Sequence, residues 1–106
     1  MPGRLDGKVA IVTGGGGGFG KGIASKFVEE GAKVIIADMA EDVGQKTAGE
    51  LSCEFIKANV TQRSDWEAIV KLADEKFGKL DVVINNAGTT YRNKVRAQNT
   101  YYIKRS

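Results

Sequence analysis

A run of five glycines between an apolar segment and a helical pattern carries the clearest chemical signal in this sequence. Residues 13–20 read TGGGGGFG and follow the apolar, β-branched segment at residues 9–12. A glycine-rich turn from a strand into a helix lets the backbone approach an anion closely, because glycine has no Cβ. The helix N-terminus also offers unpaired N–H groups to a phosphate. The run therefore predicts a phosphate-binding turn.

The glycines fit two dinucleotide-binding spacings at once. The pattern TGxxxGxG is met by Gly14, Gly18 and Gly20, and the pattern GxGxxG by Gly15, Gly17 and Gly20. Five consecutive glycines satisfy many patterns, so the position of the run after a strand and before a helix carries more weight than its spacing.

Two other interpretations of the glycine run remain open. One is a flexible hinge without a ligand, although ordering five glycines has a large entropy cost that a bound ligand would offset. The other is a P-loop, since Gly15, Gly20 and Lys21 begin the pattern GxxxxGK. That pattern continues with Ser or Thr as a magnesium ligand, whereas this sequence has Gly22.

Asp38 stands at the end of the second apolar segment, residues 33–38. At that place in a dinucleotide-binding fold, an acidic side chain accepts hydrogen bonds from the adenosine ribose and repels a 2′-phosphate. Asp38 therefore favours NAD over NADP as the cofactor. The alternative is that Asp38 caps the helix that begins near Glu41.

The elements that would position these residues alternate along the chain. Strand patterns cover residues 9–13, 33–38, 54–58 and 80–85, and a helical pattern follows each of the first three. Alternation at this spacing predicts parallel strands joined by right-handed crossovers. The expected fold class is α/β, a partial Rossmann fold with a parallel sheet of about four strands in the order 3-2-1-4 and three helices.

Local signals predict the ends and faces of the helices. Gly31 is expected to cap the first helix at its C-terminus, and Ser64 with Glu67 is expected to form a capping box for the third. Gly44 and Gly49 weaken the second helix. Its expected buried face consists of Val43, Thr47, Ala48 and Leu51. The expected apolar stripe of the third helix consists of Trp66, Ile69, Val70, Ala73 and Phe77.

Composition is that of a globular domain, with 42% apolar and 27% charged residues. It does not fit a disordered protein, and no apolar run approaches the roughly 18 residues of a membrane span. The sequence has no His and one Cys, which removes the usual zinc ligands. The single Cys53 and the lack of an apolar signal region favour a reducing, cytoplasmic setting.

Charge divides the sequence near residue 90. Residues 1–90 hold 11 bases and 13 acids, whereas residues 91–106 hold five bases and no acid. We interpret residues 1–90 as an incomplete Rossmann domain and residues 91–106 as a basic, disordered tail. A tail contact with nucleic acid or anionic lipid is the alternative, but nucleic acid is not expected as a partner without a recognised module.

Residues 5–94 resemble the short-chain dehydrogenase/reductase family. The segment LDGKVAIVTG at residues 5–14, the turn at residues 18–20, Asp38 and the segment NNAG at residues 85–88 carry the resemblance. It implies an NAD(P)-dependent oxidoreductase that transfers a hydride between nicotinamide and an alcohol or ketone.

The resemblance also implies contacts for individual residues. The pyrophosphate would be surrounded by Gly14, Gly17, Gly18, Phe19 and Gly20. Asp38 and Met39 would meet the adenosine ribose, Asn59 and Val60 the adenine, and Asn86, Ala87 and Gly88 the ribose beside nicotinamide. Family members often have Asp at the position of Asn59. Asn keeps an acceptor and adds two donors, so it can still contact adenine.

The family's catalytic residues have no counterpart in this sequence. The family uses a Tyr as general acid/base, a Lys four residues later that lowers the phenol pKa, and an upstream Ser. Tyr101 is three residues from Lys104 and four from Arg105, so no Tyr-x-x-x-Lys occurs. We expect a truncated protein that has no catalytic residue and binds the dinucleotide, with the alcohol or ketone taken up only by a full-length relative.

A sheet that ends on its fourth strand leads to a second expectation. The first and fourth strands would lack helices on one face, and the fourth would have an open edge. Such a surface predicts oligomers or partner capture. A non-catalytic, partner-binding fragment is therefore the alternative function.

Overall fold

Strands and helices alternate along the sequence as the apolar pattern predicts. The computed structural model describes residues 5–14, 18–59, 62–85 and 99–102. The elements are β1 (Val9–Thr13), α1 (Gly18–Glu29), β2 (Lys33–Asp38), α2 (Glu41–Leu51), β3 (Glu54–Lys57), α3 (Arg63–Phe77), β4 (Val82–Asn85) and β5 (Asn99–Tyr102). The sheet order is β3-β2-β1-β4-β5, with β1 to β4 parallel. The predicted order 3-2-1-4 and the α/β class are confirmed.

The central strands are buried on both faces, which explains their continuous apolar character. Val9 and Ile11 of β1 pack in one cluster with Ile69 and Ala73 of α3. The alternate β1 residues, Ala10 and Val12, pack in a second cluster with Ala24 of α1 and Ala48 of α2. Helices α1 and α2 therefore cover one face of the sheet, and α3 covers the other.

Gly31 ends α1 as predicted. The N–H of Ala32 donates to the C=O of Phe27, and the N–H of Gly31 donates to the C=O of Val28, each at 3.0 Å. This is a Schellman motif, and its left-handed position falls on Gly31 with φ of +94°. A Cβ on Gly31 would also lie 2.9 Å from the Cα of Asp6, so the absence of a side chain lets the N-terminal segment pack against this turn.

The buried face of α2 differs from the predicted one at its first turn. Thr47 and Ala48 are buried as expected, but Val43 is 49% exposed and Gly44 is buried in its place. A Cβ on Gly44 would overlap the ring of Phe55 on β3. The apolar pattern predicted the wrong residue here because it considers only apolar side chains. Gly44 has no side chain, and this lets α2 pack against β3.

The start of α3 also differs from the prediction. The helix begins at Arg63 after the N-cap Gln62, whose side chain makes no capping bond. Ser64 lies inside the helix, so the capping box of Ser64 and Glu67 is wrong. The predicted apolar stripe is confirmed, because Ile69 and Ala73 belong to the core cluster on the α3 side of the sheet and Trp66, Val70 and Phe77 pack against that cluster.

Strand β5 is the main departure from the predicted sheet. It pairs antiparallel with β4, with Asn99 opposite Asn85 and Tyr102 opposite Val82. Thr and Tyr favour strands, and the edge of β4 offers backbone groups for pairing. The sheet therefore has five strands rather than four, and residues 99–102 are not part of a disordered tail. The domain boundary at residue 90 stays a prediction.

The apolar surface predicted for β1 and β4 is not found. The apolar residues of β1 are at most 1% exposed, and Val82, Val83 and Ile84 are at most 5% exposed. Across the described residues, the large apolar side chains that are exposed are Met39 and Val43. Oligomer formation through a bare sheet face or an open β4 edge therefore loses its structural basis.

The described ranges lack two kinds of feature. None of their helices is both long enough and apolar enough to span a bilayer. They also contain no group of three His, Cys, Asp or Glu residues arranged to hold a metal ion.

Substitution of the two α2 glycines separates packing from helix propensity. Gly49→Ala should raise stability by about 1 kcal/mol, because nothing lies within 4 Å of the added Cβ and Ala is the better helix former. Gly44→Ala should lower stability by about 1–3 kcal/mol, because the methyl group displaces the Phe55 ring. Chemical denaturation of both variants measures the difference. A similar gain in both would contradict the packing role of Gly44.

Candidate functional site

The described residues of the predicted site converge at one edge of the sheet because the strands are parallel. Thr13, the last residue of β1, lies opposite Ala37 of β2 and Asn85 of β4. Asp38 at the end of β2 lies opposite Lys57 of β3. The carboxyl ends of all four strands therefore lie at the same side of the sheet, which we call the carboxyl edge. This is where open α/β sheets bind ligands.

Gly14 and Gly18 shape the described parts of the turn between β1 and α1. Both have left-handed backbone conformations, with φ of +68° and +57°. The N–H of Gly14 donates to the C=O of Ala37 at 2.8 Å, which ties the turn to β2. No atom lies within 4 Å of a Cβ added to Gly18. Gly17 lies outside the described residues.

The N-terminus of α1 suits an anion. The helix starts at Gly18, so the first N–H groups belong to Gly18, Phe19 and Gly20, and groups at these positions have no partner within a helix. The first turn contains no acidic residue. The helix dipole and these donors together favour a phosphate or diphosphate at this end. Of Phe19 the structure describes the backbone alone.

Lys21, in the first turn of α1, forms an ion pair with α2. Its Nζ lies 3.0 Å from Oε1 of Glu50. The hydrogen bond and charge of Lys21, with a smaller contribution from Lys46, lower the pKa of the Glu50 carboxyl. A P-loop Lys reaches instead for the phosphates of its ligand. The contact between Lys21 and Glu50 therefore gives the P-loop interpretation no support.

Asp38 is half-buried, and its carboxylate orients the loop between β2 and α2. Oδ1 accepts the N–H of Ala40 at 3.0 Å, and the backbone C=O of Asp38 accepts the N–H of Ala58 at 3.1 Å. The N-cap of α2 is Ala40, with no capping bond from a side chain, so the alternative of Asp38 as helix cap is not found. A carboxylate can accept hydrogen bonds at both of its oxygens. Met39 follows with an exposed side chain.

Asn59 follows β3 and is held by α3. Its N–H donates to Oδ2 of Asp65 at 2.7 Å, and its C=O accepts the N–H of Gln62 at 2.9 Å. Reasoning from the sequence missed Asp65 because it sought the capping residues at neighbouring positions. The available signal was an acidic residue in the first turn of a helix. Val60 lies outside the described residues.

The β4 side of the edge is described up to Asn85. Thr13 is fully buried, and its Oγ1 donates to the C=O of Ile84 at 3.4 Å. This hydroxyl links β1 and β4 at the start of the glycine turn, a role that the sequence did not suggest. The predicted contacts of Asn86, Ala87 and Gly88 fall outside the described residues.

A cavity of about 390 Å³ opens at the opposite, amino edge of the sheet. Its lining includes Lys33, Leu51, Cys53 and Phe77. It lies at the starts of β2 and β3, away from the loops that carry the predicted site. Burial, and secondly the charge of Glu54, raise the pKa of the Cys53 thiol to about 11.

The family model of the short chain dehydrogenases matches residues 8–105. The protein belongs to this family. The matched segment extends past residue 94, where the resemblance was expected to end. The short-chain dehydrogenase match therefore includes the residues of β5.

Named relatives in the short-chain dehydrogenase family are much longer than this protein. Short-chain dehydrogenase reductase 3a of Arabidopsis thaliana is 46% identical over 88 residues, which are 80% of this chain and 34% of that protein. NADP-dependent (R)-specific alcohol dehydrogenase of Lentilactobacillus kefiri is 41% identical over 104 residues, which are 94% of this chain and 41% of that protein. The chain thus spans about a third to two fifths of these relatives.

Solved structures of such enzymes resemble the fold described above. The 3-ketoacyl-(acyl-carrier-protein) reductase from Brucella melitensis complexed with NADH has a TM-score of 0.73 at 40% identity, covering 76% of this chain and 34% of that one. Hydroxysteroid dehydrogenase from Escherichia coli has a TM-score of 0.76 at 36% identity, covering 79% of this chain and 37% of that one. These likenesses confirm the Rossmann-type class.

The raised pKa of Cys53 predicts slow alkylation. At pH 8 an ordinary thiol is roughly a quarter ionised, whereas a thiol of pKa about 11 is about 0.1% ionised. The greater nucleophilicity of a more basic thiolate offsets part of this difference. Iodoacetamide should therefore modify Cys53 at least roughly tenfold more slowly in the folded protein than in urea, as followed by mass spectrometry. Equal rates would contradict the described burial of the thiol.

Proposed function

We propose that this protein is the nucleotide-binding part of an NAD-dependent oxidoreductase of the short-chain dehydrogenase type. The observation that carries the proposal is the turn at the carboxyl edge. Left-handed Gly14 and Gly18 lead into α1, and its first turn holds no acidic residue. The Brucella melitensis reductase, a structural neighbour complexed with NADH, supports a nicotinamide dinucleotide as the ligand. Such a cofactor supplies or accepts the hydride when alcohols and ketones are interconverted.

In this proposal the backbone of the turn holds the diphosphate. The N–H groups of Gly18, Phe19 and Gly20 are the donors, and Gly14 and Gly17 leave room for the close approach. Lys21, in the first turn of α1, is paired with Glu50, so the proposal assigns the diphosphate to the backbone donors.

Asp38 is proposed to select NAD over NADP. The N–H of Ala40 holds its carboxylate at the end of β2, where it can accept from the adenosine ribose and would repel a 2′-phosphate. A relative named as NADP-dependent indicates that cofactor preference varies among similar proteins. The proposed preference of this protein for NAD therefore rests on Asp38 and not on its relatives.

The other ligand contacts are proposed from the family resemblance. Met39 adjoins Asp38 and meets the same ribose. Asn59 and Val60 are proposed to contact the adenine, and Asn86, Ala87 and Gly88 the nicotinamide ribose.

No residue of this protein is proposed as catalytic. Its 106 residues contain no Tyr-x-x-x-Lys, and the backbone of Tyr101 pairs with Val83 in the sheet. Proton transfer to an alcohol or ketone oxygen is assigned to the part of the family's length that this sequence does not span. The single Cys53 suits a reducing compartment, and we place the protein in the cytoplasm.

The alternative function, partner capture by a bare sheet, has lost its main support. Strand β5 pairs with the edge of β4, and the apolar residues of β4 are buried. Nucleotide binding therefore explains more of the described structure than a partner-binding fragment does.

NAD should stabilise the folded protein. At a free concentration of 100 times Kd, binding adds about 2.7 kcal/mol, which for a domain of this size raises Tm by roughly 10 °C or more. Calorimetry measures the shift, and NMR should show the amide signals of Gly14, Gly18 and Gly20 moving with NAD. Magnesium ATP is the control, because a P-loop would respond to it instead. If saturating NAD leaves Tm and these signals unchanged, the proposed function is wrong.

Asp38 variants test cofactor selection. Asp38→Ala should weaken NAD binding at least tenfold, because a hydrogen bond to a charged group contributes about 1.5–3 kcal/mol. Asp38→Asn keeps an acceptor for Ala40 but removes the charge, so it should improve NADP binding relative to NAD. Asp42→Ala, which removes an acidic residue from the first turn of α2, is the control. Titration calorimetry that finds unchanged NAD affinity in Asp38→Ala would refute the assignment.

A further inference from the structure

Asn59, which follows β3, is hydrogen-bonded at two points to the start of α3. The N–H of Asn59 donates to the Asp65 carboxylate at 2.7 Å, and the C=O of Asn59 accepts the N–H of Gln62 at 2.9 Å. Gln62 is in turn bound to the helix, since its C=O accepts the N–H groups of Asp65 and Trp66, each at 3.2 Å. Both backbone polar groups of Asn59 are therefore bonded to the N-cap and first turn of α3.

Helix α3 is packed against the sheet. Ile69 and Ala73 are 0% exposed and belong to the core cluster that also contains Ile11 and Ile35 of the central strands. The position of the first turn of α3 relative to the sheet is therefore set by this packing. The 2.7 Å bond from the Asn59 N–H to the Asp65 carboxylate holds Asn59 beside this turn.

The other end of the loop is joined to the residue proposed to bind the ribose. The N–H of Ala58 donates to the C=O of Asp38 at 3.1 Å. Asn59 is the next residue, so the positions of Asp38 and Asn59 are set by one continuous network. The side-chain amide of an Asn has an acceptor and two donors, which suit the hydrogen-bonding edge of a base.

We propose that Asp65 is a positioning residue for a purine base at the carboxyl edge. It acts through Asn59, whose N–H it accepts, and touches no ligand itself. The proposal rests on the proposed function, because it assumes that the adenosine half of a dinucleotide lies beside Asn59. It assigns Asp65 to the adenosine half of the ligand and not to the nicotinamide half.

Asp65 also has a structural effect that the test must separate. An acidic residue in the first turn of a helix is favourable through the helix dipole. Asp65→Asn removes the charge but keeps an oxygen that can accept the Asn59 N–H. Asp65→Glu keeps the charge but places the carboxylate one methylene further out. If Asp65 acts only through the helix dipole, Asp65→Asn should weaken AMP binding and Asp65→Glu should not. If Asp65 positions Asn59, Asp65→Glu should weaken AMP binding and Asp65→Asn should not.

The experiment compares the two halves of the dinucleotide as probes. Affinities of the folded variants for NAD, AMP and nicotinamide mononucleotide are measured by NMR titration. Asp65→Ala and Asp65→Glu should weaken NAD and AMP binding about tenfold and leave nicotinamide mononucleotide unchanged. Asp65→Asn should bind all three ligands within about twofold of the wild type. Glu67→Ala, which removes an exposed acid from the same helix, is the control and should match the wild type.

The Asn59 amide proton provides a readout that needs no ligand. A short bond to a carboxylate shifts this proton downfield, and the shift should be lost in Asp65→Ala and largely kept in Asp65→Asn. If Asp65→Ala does not fold, the Glu and Asn variants decide the question. Unchanged AMP affinity in Asp65→Glu, or equal losses for AMP and nicotinamide mononucleotide, would overturn the positioning role alone. Failure of the wild type to bind NAD would overturn the proposed function, and the positioning role with it.

Discussion

The parallel pairing of β1 between β2 and β4 is the constraint on which the candidate site depends. It places the end of β1 beside the ends of both neighbours, so that the loops after them share one edge. At the other edge the register is fixed by Asp81, whose Oδ2 accepts the N–H of Val9 and whose own N–H donates to the Val9 C=O, each at 2.9 Å. Burial raises the pKa of Asp81, but the Val9 N–H and Lys79 lower it by more. The carboxylate that holds the register therefore stays charged near neutral pH.

Glycine serves two physical purposes in this fold. Gly14 and Gly18 take left-handed conformations in the turn proposed to meet the diphosphate, so there they serve the ligand. Gly31 and Gly44 instead allow protein groups to approach, the Asp6 backbone in one case and the Phe55 ring in the other. The packing of the helices around the site thus depends on glycine, as the proposed site does.

The sequence was sufficient for the strand order and the C-terminal turn at Gly31, because apolar runs and glycine positions report these directly. It did not predict that β1 and β4 are buried on both faces. It misplaced the buried face of α2 at the first turn of the helix. Apolar periodicity assigns Val43 to the core, and it does not detect that Gly44 is buried because it has no side chain. The predicted parallel strand order also implied that the site residues lie at one edge of the sheet. The bonds of Asp65 to Asn59 and of Lys21 to Glu50 depend on how loops and helices meet in space. Strand β5 was missed because its pairing depends on the edge that β4 presents.

Charge divides the carboxyl edge into two unlike halves, and this division suits a dinucleotide in one orientation. The β1–α1 side offers backbone N–H donors and no acid in the first turn of the helix. The β2–β3 side carries Asp38 and Asp65, each holding a loop N–H, of Ala40 and Asn59 respectively. An anionic diphosphate is favoured on the first side and repelled from the second, whereas ribose hydroxyls and an exocyclic amine are donors that carboxylate and amide oxygens accept. The polarity that orients the proposed ligand is therefore built from the strand order, since β2 and β3 lie on one side of β1 and β4 on the other.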